Sequence, residues 1–501
     1  MVKSSRIGSG LYSRRWWLLL VVSAGLFLVT LDNTILYTAL PTLTRDLHAT
    51  GLQSLWFINA YPLVMSGLLL GSGTLGDRVG HRHMFMIGVS VFCVASLVAS
   101  FAPDPGVFIV SRVLLAVGAS TMMPSTLALI RATFTVDREL NMAVAIWGSI
   151  SVISMTLGPV IAGVLLRSFW WGSVFLINVP FALMALLAIR FVAPADRPDR
   201  SKRWDALSSG QAMAGLMGTV VAVKELAHVH PSWIVVAAGL ACGVLGFVFF
   251  VRRQRRLERP LVDFHVFRIP TFSCGVLSAM VSMFTLAGIQ FVTTQRYQFL
   301  EGFTPLQSGF LVTAVALGTL PSTLAGGALL SRVGFRPIIS GGFALTTLGA
   351  AVALVGSQTL FVMFVVGLII LGLGLGFVMS VASTAIVSSV AADRAGMASS
   401  IEEVSYELGS LMAVTILGSL ITFVYSVVFR MPAGGSSPAR QSLPDALASG
   451  DSHVIAAAGE AYDIGFRVVL EVIVAVLALS AVATYRLLRK HRVSGETEEK
   501  R

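Results

Sequence analysis

The chain has 501 residues, 55% of them apolar and 12% charged, with a net charge of +11 and a mean hydropathy of +0.82. A water-soluble domain carries about 25% charged residues, so this composition excludes one and points to a chain dissolved largely in lipid. Uncharged stretches of 18 or more residues recur throughout, each able to cross a hydrocarbon core of about 30 Å as a helix. The ten-residue segments of alternating polarity that a β-barrel needs are absent, so the fold class expected is an all-α membrane protein.

In chain order, "SRRWWLLLVVSAGLFLVTLDNTILYTALP" starts like a secretory signal, but its apolar part is too long for a signal core and it reads as a retained first helix. About thirteen spans follow, near 53–76, 84–102, 107–134, 141–167, 170–192, 206–225, 232–251, 271–298, 304–330, 338–357, 359–388, 394–429 and 464–489. With an even number, both termini share a side, and placing them in the cytoplasm puts about 28 of the 36 Lys and Arg residues there. Basic loops facing anionic headgroups account for the net charge without a nucleic-acid partner. The cysteines, Cys93, Cys242 and Cys274, lie in apolar segments and suggest neither a disulfide framework nor a metal site.

An ionisable group inside a span costs at least about 2.5 to 3.5 kcal/mol, which makes it a functional candidate by default. Asp32 lies deep in the first span, with no basic residue within a helical turn, so it is placed to take up and release protons; Thr30 or Thr34 could instead hold it structurally. Arg112 falls near one end of the fourth span, where it could snorkel to the interface or be buried. Glu402, Glu403 and Glu407 sit in "MASSIEEVSYELGSLMAVTILGSL" with Tyr406; Glu403 and Glu407 share a helix face, and three such carboxylates in low dielectric cannot all stay ionised cheaply. The following 22 apolar residues, 408–429, could span alone, so hydropathy leaves the glutamates either inside the membrane or in a cytoplasmic extension.

Two segments repeat in register. "GTLGDRVGHR" at 73–82 and "GALLSRVGFR" at 327–336 share Gly, Leu, Arg, Val, Gly and Arg, each after the second helix of a six-helix set. The chain therefore reads as a duplication: a first bundle at 1–192, two inserted spans with basic linkers at 193–270, a second bundle at 271–489 with a long external loop near 430–463 that could contain a short helix, and a tail at 490–501. In the first copy Gly73 and Gly80 permit a tight turn, and Asp77 can accept bonds from a helix N-terminus, Arg78 or Arg82; the second copy has Ser331 in its place. In the fifth span, Gly158, Pro159, Ala162 and Gly163 remove bulk and a backbone donor, predicting a bent, closely packed helix.

"LDNTILYTALP", "GTLGDRVGHR", "SRVLLAVGA", "LGPVIAGVLL" and "WWGSVFLINVPFAL" together resemble the major facilitator superfamily, and within it the fourteen-helix drug:proton antiporters of the QacA type. That resemblance implies two six-helix bundles plus two inserted helices and proton-coupled export of lipophilic, mainly cationic drugs, quaternary ammonium antiseptics and dyes. It assigns proton coupling or cation binding to Asp32 of the first helix and to Glu402, Glu403 and Glu407, and it places those three glutamates within the thirteenth helix. It further implies that Arg112 tunes proton transfer, that Gly73, Asp77, Arg78, Gly80 and Arg82 form a cytoplasmic gating loop, and that Gly158, Pro159 and Gly163 form the antiporter element. Asn59, Tyr61, Thr319 and Tyr406 are expected to line the cavity. Departures fall at Asn59 and Thr319, where relatives often carry acids, which leaves open export of one metabolite, lipid or self-made antibiotic. No Walker A sequence is present, so no cofactor is expected and an ion gradient supplies the energy. The implied partners are substrate, protons and membrane lipids, and the implied setting is a bacterial inner membrane, with a monomer as the working unit.

Overall fold

The computed structural model describes residues 4–196, 198, 205–226, 231–257, 260–390, 395–430, 443–448 and 451–489. Sixteen α-helices run in order: α1 Ser4–Asp46, α2 Gly51–Val79, α3 His81–Ser100, α4 Pro105–Thr133, α5 Asp137–Ser168, α6 Ser173–Leu176, α7 Asn178–Val192, α8 Ala206–Leu226, α9 Trp233–Gln254, α10 Pro270–Phe299, α11 Pro305–Val333, α12 Phe335–Gly356, α13 Phe361–Ser388, α14 Ala395–Val428, α15 Leu443–Ala448 and α16 Ser452–Arg489. Among the described residues thirteen helices are long and apolar enough to cross a membrane, and α2, bent by 58° near residue 70, makes a fourteenth when its two parts are taken as one span. The ends of the spans opposite the two chain termini are called distal below.

Local signals set the helix ends. At α2, Thr50 Oγ1 accepts from Gln53 N at 3.3 Å while Gln53 Oε1 accepts from Thr50 N at 2.9 Å; Thr304 and Gln307 repeat this reciprocal cap at α11, at 3.3 and 2.8 Å. The stop signals repeat too, since Gly80 and Gly334 end these helices with φ of +107° and +81°, a region that favours glycine. The duplication thus extends from the quoted decapeptides to the helix boundaries.

Helices α1 to α7 form one bundle, and α10 to α14 with α16 form the other. Their seam is made by α1 against α10 and α11, α2 against α14, and α5 against α11. The inserted α8 and α9 pack on each other through glycines so close that a Cβ on Gly218 would lie 2.4 Å from Gly243 N. At their near end Arg253 grips Asp205 with Nε at 3.0 Å and Nη2 at 2.9 Å; partial burial pushes the Asp205 carboxyl up, but the bonds from Arg253 and Ser208 bring it below its usual range. Helix α8 also lies against both α2 and α14, so the insertion sits on one flank of the seam.

One element differs from the sequence expectation. The last span was expected from residue 464, after a loop near 430–463, whereas α16 already begins at Ser452, where Asp451 Oδ1 accepts from His453 N at 2.8 Å. The polar, small-residue composition of 451–463 hides an amphipathic face: Val454, Ala458, Ala461 and Tyr462 are all buried. Residues 431–442 of that expected loop lie outside the described residues.

Candidate functional site at the bundle seam

Asp32 of α1 and Arg112 of α4 are fully buried, at 0% and 1% exposure, and form an ion pair through Arg112 Nη1 and Asp32 Oδ2. Arg112 Nε donates to Phe57 O at 3.1 Å, and its guanidinium carbon lies 4.8 Å from the Tyr61 ring centroid. The second Asp32 oxygen accepts from Asn178 Nδ2 at 3.1 Å. The arginine is therefore turned inward to a carboxylate and does not reach for the membrane surface. Thr34 is not the holder of Asp32: its hydroxyl donates to its own helix, to Thr30 O at 3.0 Å and Leu31 O at 3.1 Å. Asn178 is a site residue that sequence reasoning missed; its signal was a single amide in the apolar run "FLINVPFAL".

Glu402, Glu403 and Glu407 stand on one unbroken helix, α14, which runs from Ala395 to Val428. At 1.5 Å rise per residue, Glu403 and Glu407 lie about 12 to 18 Å from its start. Glu402 is buried against α13, accepting from Tyr406 Oη at 3.3 Å and bonded to Ser383. Glu403 and Glu407 are half-buried. They lie within electrostatic range of Tyr61, whose buried hydroxyl has no hydrogen-bond partner among the described residues; Glu407 also senses Arg112. Two acid centres, one from each bundle, thus lie within electrostatic range of the same buried Tyr61.

The remaining candidates divide. Asn59 is fully buried and crosses the seam, donating from Nδ2 to Thr415 Oγ1 at 3.0 Å. Tyr37 and Ser410 make a second crossing at 3.0 Å. Thr319 does not line the space: its hydroxyl donates to Val315 O at 2.9 Å and Gly372 O at 3.2 Å, turned into the contact of α11 with α13. That contact has no room for a larger polar group, because a Cβ on Gly372 would meet Val315 O at 1.9 Å.

Gly158, Pro159 and Gly163 form the distal contact of α5 with α1 and α11. A Cβ on Gly158 would meet Thr34 Oγ1 at 2.0 Å, and one on Gly163 would meet Leu306 Cα at 2.4 Å. Gly309 packs on the Pro159 carbonyl, and nearby Thr313 donates to Thr156 O at 3.3 Å. Gln298 adds a bond to Thr38 O at 3.0 Å. Among the described residues, these bonds between the bundles lie in the distal parts of their helices, so the bundles are closed distally. A separate cavity of about 380 Å³ opens between Arg296, Gln358, Asp463 and Arg467, away from the acids.

The decapeptide at 73–82 is organised differently from the expectation. Asp77 pairs with His81 at 3.0 Å, whereas Arg82 reaches Arg190 O at 3.1 Å and Arg78 is exposed. The carboxylate that caps α3 is Asp196, which accepts from Arg82 N at 2.8 Å and His83 N at 3.1 Å and also bonds the His83 ring. Gly80 needs both its positive φ and its missing side chain, since a Cβ would lie 2.4 Å from Asp196 Cγ. Gly73 has open space around it, so no contact requires a glycine there. Asp196→Ala should therefore cost about 1 kcal/mol of stability, and Gly80→Ala more, because strain adds to the clash. Thermal unfolding of the purified protein checks both; midpoints equal to wild type would count against the capping role.

Two duplicated helical bundles of membrane-spanning length, each carrying ionisable groups inside its helices, have the plan of a membrane transporter. The chain belongs to the Major Facilitator Superfamily, whose model matches residues 22–295 and 271–436. It is 36% identical over 429 residues to the methyl viologen resistance protein SmvA of Salmonella typhimurium, covering 84% of this chain and 85% of that one. It is 32% identical over 486 residues to the multidrug efflux pump LfrA of Mycolicibacterium smegmatis, covering 94% and 95%. The fold matches an inward-facing bacterial homolog of the human lysosomal transporter Spinster with a TM-score of 0.62 at 15% identity, over 95% of this chain and 97% of that one.

Proposed function

We propose that this protein is a proton-driven antiporter that exports lipophilic, mainly cationic drugs and antiseptics, quaternary ammonium compounds and dyes among them. The observation that carries the reading is that Asp32–Arg112 in one bundle and Glu403 and Glu407 in the other lie within electrostatic range of the same buried Tyr61. Carboxylates at such a site hold either protons or a cation and gain little from holding both, so proton entry displaces the drug. The names of the relatives support drug export, and methyl viologen is itself a cation. Both termini are assigned to the cytoplasm of a bacterial inner membrane by the charge bias of the loops, which makes the distal closure an outer one and the structure inward-facing. In this reading the chain works as a monomer, and no cofactor takes part. Asn59, neutral where an acid would favour dications, supports a narrower alternative: export of one metabolite, lipid or self-made antibiotic.

The test is ethidium and benzalkonium efflux from cells or vesicles holding this chain. Export should stop when an uncoupler collapses the proton gradient and resume when the gradient is restored. Efflux that persists without a gradient would sink the coupling, and transport of a neutral metabolite with no response to either cation would favour the alternative.

A further inference from the structure

Lys224, two residues from the end of α8, is buried at 4% exposure. Its Nζ has no hydrogen-bond partner among the described residues and lies 4.5 Å from the centroid of the Trp56 ring on α2. Ser54, the nearby hydroxyl on α2, is committed to Thr44 Oγ1 at 2.9 Å. An ammonium inside a span whose described contact is an aromatic face is a costly arrangement, found where it has a use.

The position of Trp56 suggests that use. Trp56 and Gly67 are eleven residues apart, three turns, and so share a face of α2; a Cβ on Gly67 would run into Met213 of α8. Three residues after Trp56, Asn59 bonds to Thr415 of α14, and Leu55 packs against Gly418 of the same helix. Trp56 thus stands where α2, α8 and α14 meet, at the outer end of the seam and one turn outward of the Asn59 crossing. Any rotation that opens the outer side parts α2 from α14 at this point.

We propose that the Trp56 face is an exit-side subsite for lipophilic cations, and that Lys224 occupies it while the outer ends are closed. The inference rests on the cation-export reading. An indole face holds one cation well, by the attraction of its quadrupole for positive charge. On outward opening, a departing drug and the tethered ammonium compete for that face. The ammonium is never diluted, so it returns and drives the drug off. Lys224 acts as a built-in competitor that weakens outward-side binding and speeds release.

Tetraphenylphosphonium binding to the purified full-length protein in lipid nanodiscs tests this. Lys224→Gln should bind roughly threefold to thirtyfold more tightly than wild type, the range a freed cation–π site supplies. Lys224→Arg, which keeps the charge, should bind like wild type. Trp56→Leu in the Lys224→Gln background should remove the gain. If wild type binds the cation and Lys224→Gln binds it equally or more weakly, or if the gain survives Trp56→Leu, the subsite is overturned and the cation-export reading stands. If neither wild type nor any variant binds, both fall.

Discussion

Asp32→Asn should abolish gradient-driven efflux and also destabilise the protein, and a second substitution should separate the two effects. The Arg112 guanidinium is fully buried with Asp32 as its only carboxylate partner among the described ion pairs. Removing one member of such a pair leaves an uncompensated charge in low dielectric, at about 3 to 5 kcal/mol. Asp32→Asn with Arg112→Gln restores neutrality and keeps an amide near Asn178 and Phe57 O, so most of that stability should return. Efflux should stay lost in the double variant, because no group that exchanges a proton remains in the first bundle's centre. Thermal unfolding and ethidium efflux, measured on both variants, decide it. A double variant that is stable and still pumps with the gradient would remove Asp32 from coupling and leave the pair a structural feature.

Glu403→Gln with Glu407→Gln should weaken binding of a monovalent lipophilic cation by roughly tenfold to hundredfold. A unit charge about 6 Å away at an effective dielectric near 20 contributes on the order of 2 to 3 kcal/mol, before competing hydration is subtracted. The sign of the pH dependence follows from competition. Protons that occupy these carboxylates cancel the attraction, so cation affinity in the wild type should fall as pH falls. In the double variant the dependence should flatten, and affinity for a neutral drug should change little. A double variant that binds the cation as tightly as wild type, with the same pH profile, would remove the two glutamates from the site.

Much of the fold was legible because a helix in lipid must be long, apolar and internally bonded, which leaves its mark on composition. Asp32 was legible for the complementary reason, since it interrupts an apolar run, whereas the α14 glutamates precede theirs and hydropathy alone left them on either side of the membrane surface. What composition carries poorly is partnership. Arg112 meets Asp32 from 80 residues away, and Asn178 from 146, so neither contact leaves a local pattern. Asp196 sat in a linker conspicuous only for its basic charge, and Lys224 looks like an ordinary charge at the end of a span. The start of α16 was hidden by small residues that read as loop, although the spacing of Val454, Ala458 and Ala461 was already helical. Thr319 was misassigned because a polar side chain in a span can be satisfied by its own backbone and a neighbour's as easily as by solute.

The placement of α8 beside α2 and α14 has a consequence for molecules already dissolved in the bilayer. A pair of rocking bundles has two flanks through which a membrane-dissolved solute can slip sideways between them. On the α2–α14 flank such a solute meets a further helix, while the α5–α11 flank has no added layer from the inserted pair. The transporter is thereby handed with respect to the lipid around it, one flank of its seam covered by the inserted pair and the other not.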